Sequence, residues 1–320
     1  MILLSNEVII FLFVEGVLLL LQGVAFVNAL SILSRWNFEA STALQYRLEK
    51  RAYLVVLIIL FTLGFKILLL PYFSCTIDQL SALVPGAMCG AGVISANTYG
   101  PLLLVLKVLI IFLTGSWLIL NAKDVQALTY PYFRAKLWLF VVIFMLVVLE
   151  SILDLLYFIN IPTSDPVSCC STIYGAVGST EALPFGLDIY SVLILFYLTY
   201  LLTLLTNFFR YTYINLAANA FFLYMAYFAV VYFFGTYVYE LPTHKCPFCM
   251  LQREYYYVGY FIWGTLFLGT FFAMAGALLK TLMRSEVGFV YRASALFNTA
   301  FVLLCTLYVA LYYLKTGVFL

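Results

Sequence analysis

The sequence predicts an all-α, polytopic transmembrane helix bundle of about eight spans, on the strength of its composition and of the length and pattern of its apolar runs. Of 320 residues, 66% are hydrophobic and only 9% are charged. A soluble domain needs far more charge to cover its surface, so lipid must solvate most of this chain. Lipid offers the backbone no hydrogen-bond partners, which leaves helices or a closed barrel as spanning structures. The apolar runs are about 20 residues long and lack strict alternation, which selects helices.

The first span is expected at 7–33. It has no basic lead-in and is long enough to cross, so it reads as a retained helix and not as a cleaved signal peptide. The others are expected at 52–72, 101–121, 137–159, 186–207, 215–238, 254–280 and 293–314. Lysine and arginine collect in alternate connections. Arg35, Arg47, Lys50 and Arg51 lie between the first two spans, and Lys123, Arg134 and Lys136 between the third and fourth. Arg210 follows the fifth span, while Lys280, Arg284 and Arg292 bracket the last connection. Loops 73–100 and 160–185 contain neither residue. The positive-inside rule makes the basic loops cytoplasmic and both termini non-cytoplasmic.

That topology gathers six of the seven cysteines on the non-cytoplasmic side: Cys75 and Cys89, Cys169 and Cys170, Cys246 and Cys249. Only Cys305 falls within a span, where it reads as a small buried apolar residue. Structural disulfides in an oxidising compartment are the plain reading of such loops. Glycines around Cys89 permit a close backbone approach. Adjacent Cys169 and Cys170 can form only a strained mutual disulfide, so cross-links to other loops are equally open.

The run His244-Lys245-Cys246-Pro247-Phe248-Cys249-Met250-Leu251-Gln252-Arg253 is expected to open the seventh helix, with Pro247 at its first position and Cys246 as its cap. Free backbone N–H groups and the helix dipole would then favour a thiolate on Cys246, aided by Lys245 and His244. Arg253, four residues after Cys249, would share its face and could polarise a bound ring, with Tyr255, Tyr256, Tyr257 and Tyr260 packed nearby.

The same run resembles the C-x-x-C-x-x-[QE]-R signature of the quinone-coupled, disulfide-forming membrane oxidases of the DsbB family. The resemblance implies that Cys249 faces a quinone, either ubiquinone or menaquinone, and that Cys246 exchanges with a second cysteine pair. It assigns Arg253, with Gln252 and Tyr256, to the quinone site. It also implies a thioredoxin-like extracytoplasmic partner and a bacterial inner membrane, with the cysteine loops periplasmic. In the related vitamin K epoxide reductases a loop pair precedes the Cys-X-X-Cys, the order seen here for Cys169 and Cys170. By that likeness 137–283 forms a four-helix redox unit within a single membrane domain spanning 1–320.

Charges inside spans are the other costly feature, at about 2.5–3.5 kcal/mol each on insertion scales. Glu15, Lys66, Lys107, Glu150 and Asp154 all fall there, with Glu150 and Asp154 four apart on one face. They read either as a neutralised knot that fixes packing or as a proton path or anion site.

Several functions are excluded. A net charge of +2 without a basic tract argues against nucleic acid. The single histidine, His244, rules out a multi-histidine metal or haem centre within this chain. Covalent c-type haem needs C-x-x-C-H, and Met250 stands where that histidine belongs. The leading expectation is therefore a membrane thiol–disulfide oxidoreductase linked to quinone, with no haem and no resident metal. The alternatives are a copper-handling or complex-assembly protein that uses the thiols as soft ligands, and a transporter with disulfide-stapled loops.

Overall fold

A computed structural model describes residues 2–36, 42–127, 130–167, 186–242, 244–284 and 288–320. Among these residues there is no strand, and nine helices account for the fold. They are α1 (Asn6–Arg35), α2 (Ala43–Leu80), α3 (Gly90–Ile94), α4 (Tyr99–Gln126), α5 (Phe133–Ile159), α6 (Ile189–Phe208), α7 (Thr212–Tyr239), α8 (Val258–Met283) and α9 (Gly288–Thr316). All but α3 are long and apolar enough to cross a membrane, as the sequence predicts. Their outward faces carry large apolar side chains such as Phe13, Leu20, Leu68 and Val105, each more than half exposed. Lipid tolerates such a surface, whereas water opposes it.

The helices fall into two compact units. The first comprises Met1–Pro85 and Val93–Val167, the second Gly86–Gly92 and Ser168–Leu320. In the first unit α1 packs on α2 and α5, and α4 packs on α5 and α2. The start of α4 is drawn tightly onto the segment before it. Asn97 accepts hydrogen bonds from the N–H groups of Tyr99 and Gly100, and its amide donates to the Tyr157 carbonyl at 3.0 Å. A Cβ on Gly100 would stand 1.9 Å from the carbonyl oxygen of Ile94, so only glycine fits this approach.

In the second unit α8 packs on α9, α6 on α7, α7 on α8, and α9 on α6. Phe196, Phe222, Phe234 and Phe301 form its aromatic centre, with ring centroids 5.2 to 6.0 Å apart. Beside them runs a ladder of buried amides that the charge-based reading overlooks. Asn298 donates to Asn219 at 2.7 Å, Asn219 to Asn215 at 2.8 Å, and Asn215 to Asn207 at 3.0 Å. The ladder ties α6, α7 and α9 by side-chain hydrogen bonds, the usual glue between helices where apolar packing alone gives no preference over lipid.

Three local expectations need correction. Cys75, expected in a loop, lies within α2, because that helix continues through Pro71 and ends at Leu80. Lys136, counted as a loop cation, belongs to α5 and is buried, 2.7 Å from the Asp124 carboxylate and 3.1 Å from Asn121 Oδ1. The seventh spanning helix starts at Val258, not at Pro247. Two short 3₁₀ turns, Cys249–Leu251 and Arg253–Tyr255, fill the interval, separated by an extended Gln252. Tyr256 and Tyr257 then adopt left-handed conformations, which a continuous helix cannot accommodate.

Candidate functional site

The Cys-Pro-Phe-Cys run lies in the second unit between α7 and α8. Its approach is shaped by a π-helical turn at Val230–Phe234 and a left-handed Glu240 that ends α7. Such turns, and non-glycine residues at positive φ, concentrate at functional sites, because surrounding structure must hold them against their local cost. The run itself is anchored from three sides. The Tyr239 hydroxyl donates to the Cys246 carbonyl and accepts from the Met250 N–H at 3.0 Å. The Trp263 indole donates to the Pro247 carbonyl at 3.1 Å. Gly259 lets α8 press against the run, for a Cβ there would lie 2.6 Å from Met250 Cγ.

The two cysteines of the run are joined by Cys89. Segment Gly86–Gly92 belongs to this unit, and it brings the Cys89 sulfur to 3.6 Å from that of Cys246. One sulfur from each of Cys89, Cys246 and Cys249 lies within 4.8 Å of the other two. All three are buried, with exposures of 0%, 2% and 8%, in a core that also contains Met250 and Cys305. A sulfur already near van der Waals contact with another needs little motion to exchange with it. Three-centre thiol–disulfide exchange is therefore sterically available here.

The three residues expected to assist the thiols make their own contacts. His244 stacks on the Tyr239 ring, with centroids 4.1 Å apart, and Lys245 Nζ lies 4.9 Å above the ring of Tyr232. Arg253 is exposed, and the extended Gln252 breaks the helical face that it was expected to share with Cys249. Of the predicted quinone contacts, Tyr256 lines a cleft of about 380 Å³, while Gln252 and Arg253 do not. That cleft is walled by Tyr237, Tyr239, Tyr255, Tyr256, Tyr308 and Tyr312, together with Glu240, Glu254 and Lys315. Tyr239 belongs to both places: it lines the cleft, and its hydroxyl holds the Cys246 carbonyl. Cys169 and Cys170 lie outside the described residues, and Cys75 is an exposed residue of the first unit.

Tyr239 makes a direct test of how the run is held. Tyr239→Phe leaves a buried carbonyl and a buried N–H without this partner, so it should destabilise by about 1–3 kcal/mol. Denaturant unfolding in detergent measures this loss. Tyr256→Phe, at 89% exposure, should change stability by no more than about 0.5 kcal/mol.

In the first unit the structure joins all five predicted intramembrane charges. Lys66 bridges Glu15 and Glu150, the latter at 2.6 Å, and Lys107 bridges Glu150 and Asp154, each at 2.8 Å. The charge cluster and the three buried cysteines thus belong to different units.

No family model, curated protein or solved structure matches this chain. The likeness to the DsbB family accordingly rests on the residues from Cys246 to Arg253, and that to the vitamin K epoxide reductases on the order of Cys169 and Cys170 before them.

Proposed function

We propose that this chain is an integral membrane thiol–disulfide oxidoreductase that carries electrons from extracytoplasmic protein dithiols to membrane quinone. The observation that carries the reading is the buried contact of Cys89 with Cys246 beside Cys249. A structural disulfide needs two cysteines, whereas relay chemistry needs a third within reach of the pair.

The exchange balances as follows. With Cys246 and Cys249 joined, a Cys89 thiolate attacks the Cys246 sulfur, a Cys89–Cys246 bond forms, and Cys249 departs as a thiolate. A reduced Cys169/Cys170 pair then reduces the Cys89–Cys246 bond and becomes a disulfide, which an incoming dithiol, of the thioredoxin-like kind implied by the resemblance, reduces in turn. Burial of the three sulfurs bars direct attack by a folded partner, so Cys169 and Cys170 are the proposed carriers between the partner and Cys89. The tyrosine cleft is the proposed quinone site: its volume lies within the usual range for small-molecule sites, and its tyrosine rings offer flat faces beside the Lys315–Glu240 pair and Glu254. A quinone held there is proposed to take two electrons and two protons from the Cys246 and Cys249 thiols, which re-forms their disulfide and yields the quinol. Tyr239, shared between cleft and thiol run, is the proposed positioning residue. The cysteine-bearing side is proposed to be periplasmic, in a bacterial inner membrane, with both chain termini on that side.

The same three sulfurs support a second reading. Ligands at about 2.3 Å from one soft metal sit roughly 4 Å apart, so a Cys89/Cys246/Cys249 site for Cu(I) or Zn is sterically open. A single assay separates the two. Detergent-purified protein, supplied with a reduced thioredoxin-like donor and ubiquinone or menaquinone analogues, should reduce quinone with one disulfide formed per quinol. Absence of turnover, together with about one copper or zinc per chain, would replace the oxidoreductase with a metal-handling protein.

A further inference from the structure

The thiol chemistry leaves unused the five ionisable residues of the first unit. They form an alternating chain, Glu15–Lys66–Glu150–Lys107–Asp154, contributed by α1, α2, α5, α4 and α5 in turn. Every member is at least 96% buried. Glu150 accepts from both lysines, one on each oxygen. The outer carboxylates differ from it: each meets a lysine with one oxygen and leaves the other, Glu15 Oε2 and Asp154 Oδ1, buried without a hydrogen-bond partner.

Three carboxylates against two ammoniums would leave one surplus negative charge if all were ionised. One oxygen of each carboxylate also lies within 4.8 Å of the others. Like charges so close in an apolar surround do not all ionise; one site takes a proton instead. We propose that this cluster is a proton-binding site that holds one proton, shared between Glu15 and Asp154.

The surroundings favour a proton over a metal cation. Two ammoniums already stand among the carboxylates and repel a further cation. The adjoining cavity, lined by Lys66, Lys107 and Glu150, measures about 10 Å³, room for one water at most. The remaining groups facing the cluster are fixed or neutral. Ser151 donates to Glu15 and to its own helix, Tyr157 donates to the Val93 carbonyl, and the rings of Phe11 and Phe73 flank Lys107. Because the cluster lies wholly in the first unit, the inference does not depend on the thiol reading.

Infrared difference spectroscopy on the full chain in nanodiscs tests it. The wild type at neutral pH should show a carboxylic-acid C=O band that shifts in D₂O and is indifferent to replacing sodium with choline. Asp154→Asn and Glu15→Gln should each abolish the band, because either leaves two carboxylates against two ammoniums. If the variants fail to fold, carboxyl ¹³C labelling of aspartate and of glutamate in the wild type replaces them, and each label should shift part of the band. Absence of the band at neutral pH overturns the proposal. A band that persists in both variants, one untouched by either label, or one that appears only without sodium, overturns it as well.

Discussion

Serine at Cys89 is expected to stop dithiol-driven quinone reduction, with turnover falling by several orders of magnitude to the uncatalysed background. Cys89 supplies the thiolate that opens the Cys246–Cys249 bond in the proposed relay, and loss of a nucleophile removes the step it performs without a substitute. The outcome differs at each cysteine. Cys249→Ser should also stop turnover and leave Cys89 and Cys246 as thiols, since the Cys246–Cys249 bond that Cys89 opens can no longer form. Cys246→Ser should leave neither bond possible. Mass mapping of alkylated peptides under non-reducing conditions reads the three states. Each substitution puts a hydroxyl in a buried core and should cost about 1–3 kcal/mol, while helix content stays close to wild type. Full turnover in Cys89→Ser would remove the relay from the mechanism. Turnover retained in Cys249→Ser would remove the Cys-X-X-Cys from it.

Much of this architecture is legible in the sequence because lipid makes the rules strict. A spanning segment must be apolar, helical and about 20 residues long, so all eight spans can be read directly. The charges Glu15, Lys66, Lys107, Glu150 and Asp154 are legible for the same reason: each is too costly in lipid to stand alone. Their partners are not legible, since the alternation of acid and base depends on how α1, α2, α4 and α5 face one another. Asn207, Asn215, Asn219 and Asn298 carried a weaker version of the same signal, polar amides within apolar runs, with Asn215 and Asn219 one turn apart. At the thiol site the Cys-X-X-Cys is plain, but Cys89 is more than 150 residues away and meets Cys246 only through the fold. The helix start failed for a local reason. Proline at 247 suits a first helical turn, yet tertiary anchors on Tyr239 and Trp263 hold the run in 3₁₀ turns and delay the helix to Val258.

Lys107→Met should be among the most destabilising single substitutions in the first unit, at about 3–5 kcal/mol, because it strands charges that cannot leave the core. Lys107 holds both Glu150 and Asp154 at 2.8 Å, and its ammonium lies 4.6 Å from the Phe73 ring centroid and 4.9 Å from that of Phe11. Methionine keeps the apolar stem but removes all of these. Three carboxyl groups then face Lys66 alone. The control is the double variant Lys107→Met/Asp154→Leu. It removes one acid with one base and restores the wild-type charge difference, so it should recover most of the loss. Denaturant titration in mixed micelles of the wild type, both single variants (Lys107→Met and Asp154→Leu) and the double gives four free energies, and the cycle isolates the Lys107–Asp154 coupling from the cost of each change. A coupling of about 2 kcal/mol or more would mean that the network is held by ionised pairs, since exposed pairs contribute no more than about 1 kcal/mol. A coupling near zero would mean that Asp154 is neutral beside Lys107, which would overturn the sharing of the proton with Glu15.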